Sequence, residues 1–276
     1  MMKKIKSVLL FLLLSTFVFS QNFKMMSYNI RYDNPDDGIN KWSNRKEKVI
    51  KLILTYHPAI IGMQEVLTNQ LNDLRSGLIH YDNFGVGRDD GKQKGEYAAI
   101  FFDKTIFEKV DGNYFWLSET PDIAGSKSWD AALTRMVTWV KLKHKKSGKV
   151  LFAFNTHFDH VGKVAREKSA LLIKDKIKSI AGCNNFILIG DLNTEPNQEA
   201  YQNLMNIGDN IFIDAAGKEN NEATFCGFET KNKNCKRIDY ILCSKKLKPK
   251  NYSVIHDNDG TYYPSDHMPV MAEIKI

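Results

Sequence analysis

Apolar residues in this chain gather in short blocks of two kinds. Compact runs such as Phe186-Ile187-Leu188-Ile189 read as strands buried on both faces. Spaced sets such as Val49, Ile50, Ile53 and Leu54 read as one face of a helix. In chain order the blocks predict a strand over 23–28, a helix over 43–56 with Ser43 as its cap, and a strand over 59–63. Strand-like runs then dominate from 81 to 155. An amphipathic helix is predicted over 161–180, and strands over 186–189, 238–243 and 270–276. No tandem repeat, Pro/Ser linker or low-complexity tract interrupts the series. The mixture predicts one α+β domain with two packed sheets and helices outside, over residues 22–276.

The chemistry sits where these strands end. Asn29 and Arg31 follow the first, Gln64 and Glu65 the second, and His157 and Asp159 the run at 150–155. Asp191 and Asn193 follow the 186–189 run in GDLNTEP, two residues apart and so on one side of the chain. Arg237 and Asp239 open the strand at 240–242, and Ser265, Asp266 and His267 precede the last strand. Any one of these reads as a turn or cap. Six together predict a single site at one sheet edge. Asp191 could orient or deprotonate a water, and Asn193 could donate to a developing charge. Glu65, Asp191, Asp239, Asp266 and the Asn29 carbonyl form an oxygen-rich set suited to a hard cation, Mg²⁺ first, then Mn²⁺ or Ca²⁺. His157 and His267 would then serve a phosphoryl oxygen. The other five histidines read as ordinary surface or core residues.

Composition changes the picture in two places. Lys3, Lys4 and Lys6 precede an apolar run from Val8 to Phe19, the pattern of a cleaved leader over residues 1–20. About twelve apolar residues fall short of the roughly twenty that span a bilayer. The expectation is therefore an exported protein, periplasmic or extracellular, monomeric and without a stable membrane anchor. Removing those three lysines takes 39 basic residues to 36 against 32 acidic ones, so the formal +7 becomes +4. That excess suits an anionic substrate without demanding nucleic acid. Four cysteines form no C-x-x-C pair, and Cys226 and Cys235 are a candidate disulfide in an exported protein.

The motifs SYNIR at 27–31, MQEV at 63–66, GEYAAIFF at 95–102, NTHFDH at 155–160, GDLN at 190–193, RIDYIL at 237–242 and SDHMPV at 265–270 form an ordered set. Together they resemble the endonuclease/exonuclease/phosphatase superfamily, with GVGRDDG at 85–91 and FWLSETP at 115–121 pointing to a secreted bacterial branch similar to nocturnin and the deadenylases. The resemblance implies a four-layer αββα sandwich of two packed mixed sheets, and hydrolysis of a phosphodiester or phosphomonoester. It implies Glu65 as main metal ligand beside Asn29 and Asp266, and Glu96 orienting His157. Asp191 and His267 would position the attacking water, with Asn193 and Asp239 holding the phosphate and that histidine. Arg135 would touch substrate phosphate, and Trp116, in the FWLSETP loop, would contact substrate. A nucleic acid or nucleotide is among the substrates so implied.

Two rival classes have residues behind them. Asn155-Thr156-His157-Phe158-Asp159-His160 resembles the H-x-H-x-D-H zinc motif of metallo-β-lactamase-type hydrolases, with asparagine in place of the first histidine. Trp42, Trp116 and Trp129, if exposed, would suit a non-catalytic glycan-binding module. Arg166 lies four residues before Ala170 on the apolar stripe of Ala170, Ile173, Ile177 and Ile180, an unusual place for a cation. Two readings are open for it: a substrate anion bound together with Arg88, or a salt bridge to Asp159 or another structural carboxylate.

Overall fold

A computed structural model describes residues 22–206, 208–218 and 220–276. The expected leader at 1–20 lies outside the described residues. In chain order the elements are β1 (Asn22–Asn29), α1 (Trp42–Tyr56), β2 (Ile60–Val66), α2 (Thr68–Gly77), β3 (Tyr81–Phe84), β4 (Tyr97–Asp103), β5 (Phe107–Trp116) and β6 (Met136–His144). They continue as β7 (Val150–His157), α3 (Lys163–Ala181), β8 (Asn185–Asp191), α4 (Glu199–Met205), β9 (Phe212–Asp214), β10 (Asp239–Ser244), β11 (Pro249–Val254) and β12 (Val270–Lys275). One sheet runs β11-β12-β1-β2-β4-β3 and the other β5-β6-β7-β8-β10-β9. Each is mixed, with one parallel pair at its centre, β1/β2 and β7/β8.

Three apolar clusters define four layers. Met25, Ile60, Ile100, Val140, Ala153, Ile187 and Ile241 meet between the sheets. The alternate residues Met26, Ile61 and Phe101 face α1 and α2, while Phe154, Leu188 and Leu242 face α3 and α4. This is the period-2 alternation of strands buried on both faces, and it gives the expected αββα sandwich.

The alternation also fixes where the polar residues point. Asn29 shares parity with Met25, Asp191 with Ile187 and Ile189, Asp239 with Ile241, His157 with Ala153, and Glu96 with Ile100. All five continue the inter-sheet row past its apolar part. Direction brings them to one edge. The parallel strands β1, β2, β7 and β8 end there, and their antiparallel neighbours β12, β4, β6 and β10 begin there. His157, Asp191 and Asp239 lie in one cross-strand row, His157 opposite Asp191 and Asp191 opposite Asp239.

Beneath the site the core is polar. Asn155, fully buried, donates from β7 across the gap to the main-chain oxygens of Met63 and Ala99, each at 2.8 Å, and accepts from Gln64 Nε2 at 2.7 Å. These bonds fall where the β2/β4 register shifts between Met63 and Val66. Gly62 makes room, since a Cβ there would stand 2.8 Å from Asn155 Oδ1.

Several local expectations change. α1 begins at Trp42 after Lys41 with no side-chain cap, so Ser43 is within the first turn rather than its cap. α3 begins at Lys163, because Asp159 and Asp130 from outside the helix accept the N–H groups of Val161, Gly162, Val164 and Ala165. Trp42 and Trp116 are each only 2% exposed, which removes two of the three tryptophans from a sugar-stacking surface. Cys226 and Cys235 are joined in a disulfide. No helix among the described residues is long and apolar enough to cross a membrane.

Candidate active site

The strand ends enclose a cleft of about 390 Å³ lined by Arg31, Glu65, Glu96, Arg135, His157, Asp191, Asn193, Asp266 and His267, with Tyr32, Leu133, His160, Phe225 and Ile238 around them. Three of its residues, Arg31 (φ 57°), Glu65 (φ 61°) and Asn193 (φ 44°), hold the left-handed conformation that side chains disfavour. Each stands just past or at the end of a strand. Strain of this kind persists where the surroundings over-determine it, and it collects at functional sites.

Asp191 is the hub. Its Oδ1 accepts from the Asn193 N–H at 2.9 Å and its Oδ2 from Asn29 Nδ2 at 3.0 Å. His157 Nε2 and His267 Nε2 stand 3.4 and 3.7 Å from Oδ2. Burial pushes the Asp191 carboxyl up to about 7, and the neighbouring Asp239 adds to the rise. Asp239 accepts from His267 Nδ1 at 2.9 Å and from Thr224 Oγ1 at 2.6 Å. Burial alone would lower His267, but Asp239, Asp191 and Asp266 outweigh it and push the imidazole up to about 10. His157 moves the opposite way. Burial, then Arg135 and Arg88, hold it well below its ordinary value. The two histidines therefore differ in charge at neutral pH, His267 cationic and His157 neutral. Asn193 Nδ2 donates to His157 Nε2 and to Phe158 O, both at 3.0 Å, which leaves the His157 ring proton on Nδ1.

Asn29 sits among the expected ligands. Its Oδ1 accepts from the Arg31 N–H, and its Nδ2 donates to Glu65 Oε1 at 3.1 Å as well as to Asp191. It bridges two carboxylates. Glu65 Oε2 accepts from the Tyr32 N–H at 3.0 Å. Burial raises Asp266, with Glu65 adding to the rise against His267 and Arg31. Burial also raises Glu96, opposed by Arg88 and reinforced by Glu65. Glu96 accepts from Arg88 at 2.5 Å, while His157 Nδ1 is 3.9 Å away, beyond hydrogen-bond reach.

Crowded, buried carboxylates whose pKa values are driven upward suit a divalent cation, which would relieve them. A ligand atom from each of Asp191, Asp239 and His267 lies within 4.8 Å of the others, so this buried group could bind a metal. The Asp239 Oδ1 atom is buried without a hydrogen-bond partner.

Other expected residues fall differently. Arg135, 5% exposed, lies between Glu96 at 4.0 Å and Asp159 at 3.7 Å on the cleft wall. Arg88 is behind that wall and is committed to Glu96. Trp116 does not face the cleft. Its Nε1 donates to Arg88 O at 2.6 Å and its ring packs edge-on against Tyr114, so it supports the loop that carries Arg88. Arg166 is not in the cleft either. Its NH1 donates to the main-chain oxygen of Asp159 at 2.9 Å, and it lines a separate hollow with Lys163, Thr194 and Gln198. The metallo-β-lactamase reading fails on geometry. Asn155 points into the inter-sheet layer, and the Asp159 carboxylate is taken by the N–H groups of Leu133, Val161 and Gly162. His160 lines the cleft, contrary to its reading as ordinary, and so do Tyr32 and Phe225. The second histidine of NTHFDH was the available signal for the first; nothing in local sequence marks Phe225.

Fold and site together define an αββα sandwich with a buried, carboxylate-rich centre and two histidines at one sheet edge. Residues 26–267 match the model of the Endonuclease/Exonuclease/phosphatase family. A solved endonuclease/exonuclease/phosphatase from Bacteroides vulgatus is 40% identical and superposes with a TM-score of 0.87 over 93% of this chain and 99% of that one. A Bacteroides thetaiotaomicron mannosyl-6-phosphatase is 35% identical, with a TM-score of 0.85 over 92% of this chain and 100% of that one. The human nocturnin catalytic domain, 20% identical, shares the fold with a TM-score of 0.74 over 92% of this chain and 94% of that one. A probable RNA exonuclease of Saccharomyces cerevisiae is 28% identical over 66% of this chain. The chain spans 38% to 61% of the length of the curated relatives it matches. The chain belongs to the endonuclease/exonuclease/phosphatase family, whose members hydrolyse phosphoester bonds.

Proposed function

We propose that the chain is an exported, divalent-metal-dependent phosphoesterase that cleaves its substrate by in-line attack of water. The observation that carries this is the convergence of Asp191, Asn193, His157, Asp239 and His267 with Glu65 and Asp266 at one sheet edge. Asp191, pushed up to about 7, is poised to hold or take a proton from water near neutral pH. Cationic His267 and the Arg135 guanidinium supply positive charge for phosphoryl oxygens that gain negative charge, and the Asn193 amide supplies a donor. Glu65 and Asp266 would hold Mg²⁺ first and Mn²⁺ or Ca²⁺ next, leaving Asp191 and His267 for acid–base work, and the bound cation would neutralise charge on those same oxygens. No covalent nucleophile is needed. Export rests on the lysines and apolar run at the start of the chain.

Similarity to the mannosyl-6-phosphatase makes a sugar phosphomonoester the first substrate class, ahead of nucleic acid or nucleotide. The test is phosphate release from hexose phosphates, nucleotides and phosphodiesters, with chelated enzyme resupplied with Mg²⁺, Mn²⁺ or Ca²⁺, beside Asp191→Asn. Turnover of a hexose phosphate that requires metal and falls more than about a hundredfold in the variant supports the proposal. Equal turnover by Asp191→Asn, or none with any ester and metal, would sink it.

A further inference from the structure

His160 stands apart from the reacting groups, on the exposed rim of the same cleft. Its Nδ1 is 3.3 Å from Arg135 NH2. A guanidinium can only donate, so Nδ1 is the acceptor and the ring proton sits on Nε2. The arginine that sets this tautomer is itself held, 5% exposed, between Glu96 and Asp159. The backbone at His160 is fixed as well. Asp159, 2% exposed, accepts from the Val161 and Gly162 N–H groups with one oxygen and from the Leu133 N–H with the other. Leu133 lines the cleft too and is 39% exposed. The rim thus offers one oriented N–H donor and an apolar side chain, both tied to the buried Asp159.

We propose that His160 is a specificity-determining residue that reads the alcohol part of the ester, donating from Nε2 to a hydroxyl or ring oxygen of a polyol leaving group. The inference rests on the phosphoesterase reading and names its substrate class. His267 and the Arg135 guanidinium already line the phosphate side of the cleft, whereas a single N–H donor beside an apolar surface matches the mixed C–H and hydroxyl surface of a sugar. A site built to bond a hydroxyl discriminates against the analogue that lacks it.

The test compares two esters with one scissile group: glucose 6-phosphate or mannose 6-phosphate, and cyclohexylmethyl phosphate, which keeps the ring and loses the hydroxyls. The readout is the ratio of kcat/KM for sugar ester over hydroxyl-free ester. Wild type favours the sugar ester. His160→Ala lowers the ratio about tenfold, the scale of one hydrogen bond, and His160→Gln, whose amide can donate, restores most of it. A wild-type ratio near one overturns the inference. So does a ratio that stays put in His160→Ala, whether both esters suffer together or neither does. Turnover of other phosphate esters but of neither probe overturns it while leaving the phosphoesterase reading intact. No turnover of any ester overturns both.

Discussion

Asn155→Leu tests whether the polar layer beneath the site holds the two sheets in register. Leucine nearly matches the shape of asparagine but neither donates nor accepts. It would strip a hydrogen from Met63 O and Ala99 O and an acceptor from Gln64 Nε2, all in a fully buried layer. Each carbonyl that loses a hydrogen costs about 1–3 kcal/mol and Gln64 Nε2, which keeps Gly62 O at 3.2 Å, about 1 kcal/mol, so the sum is about 3–7 kcal/mol. The extra apolar burial returns about 1–2 kcal/mol, leaving a net loss of about 1–6 kcal/mol. That is a large part of the roughly 5–15 kcal/mol that holds a typical domain together. Urea unfolding followed by tryptophan fluorescence and by circular dichroism would measure it as a lower midpoint at unchanged slope. Glu65 follows Gln64 directly and His157 lies two residues past Asn155, so kcat of the folded variant should fall as well. A loss under about 1 kcal/mol would show that the layer packs rather than clamps, and would refute the reasoning.

Two further outcomes follow from the geometry. Arg166→Ala should lower Tm through loss of its bond to Asp159 O and leave KM unchanged; a raised KM at constant Tm would return Arg166 to substrate binding. In chelated protein, stability should fall from about pH 4 to about pH 10. His267, raised from 6.5 to about 10, gives stability present in full below 6.5 and lost as pH climbs through about 10. Asp191, raised from 3.8 to about 7, adds a loss over that lower interval, because its ionised form is the disfavoured one in the fold. Thermal unfolding of Asp239→Asn should show a much flatter alkaline limb, and a profile parallel to wild type would contradict the assignment of His267's shift to Asp239.

Much of the architecture was legible because strand periodicity does two jobs. The parity that buries Ile187 and Ile189 between the sheets also aims Asp191 there, and Asp239 follows from Ile241 in the same way. Short elements were not legible: α2 carries only Leu71 and Leu74 as buried apolar residues, too few for a helical stripe to stand out. Side-chain direction outside regular strands was not legible either. FWLSETP gives Trp116 no sign of facing inward, and its burial depends on the distant Arg88 loop. That the Asn29 amide ties Glu65 to Asp191 was not legible either, because those carboxylates come from two other strands. Arg45 had no signal at all. It is 2% exposed and donates to main-chain oxygens of Ile30, Arg31, Asn40 and Pro264, tying the Arg31 turn to the chain just before Asp266 through contacts 219 residues apart.

The stereochemical course at phosphorus tests the central claim most directly. A phosphate ester made chiral with sulfur and oxygen isotopes, hydrolysed in isotopically labelled water, reports how many displacements occur. One in-line attack by water held at Asp191 predicts inversion of configuration, with the solvent oxygen in the phosphate product and none in the alcohol. Retention, which would require two displacements through a covalent intermediate, or label in the alcohol, which would require C–O rather than P–O cleavage, would each contradict the account.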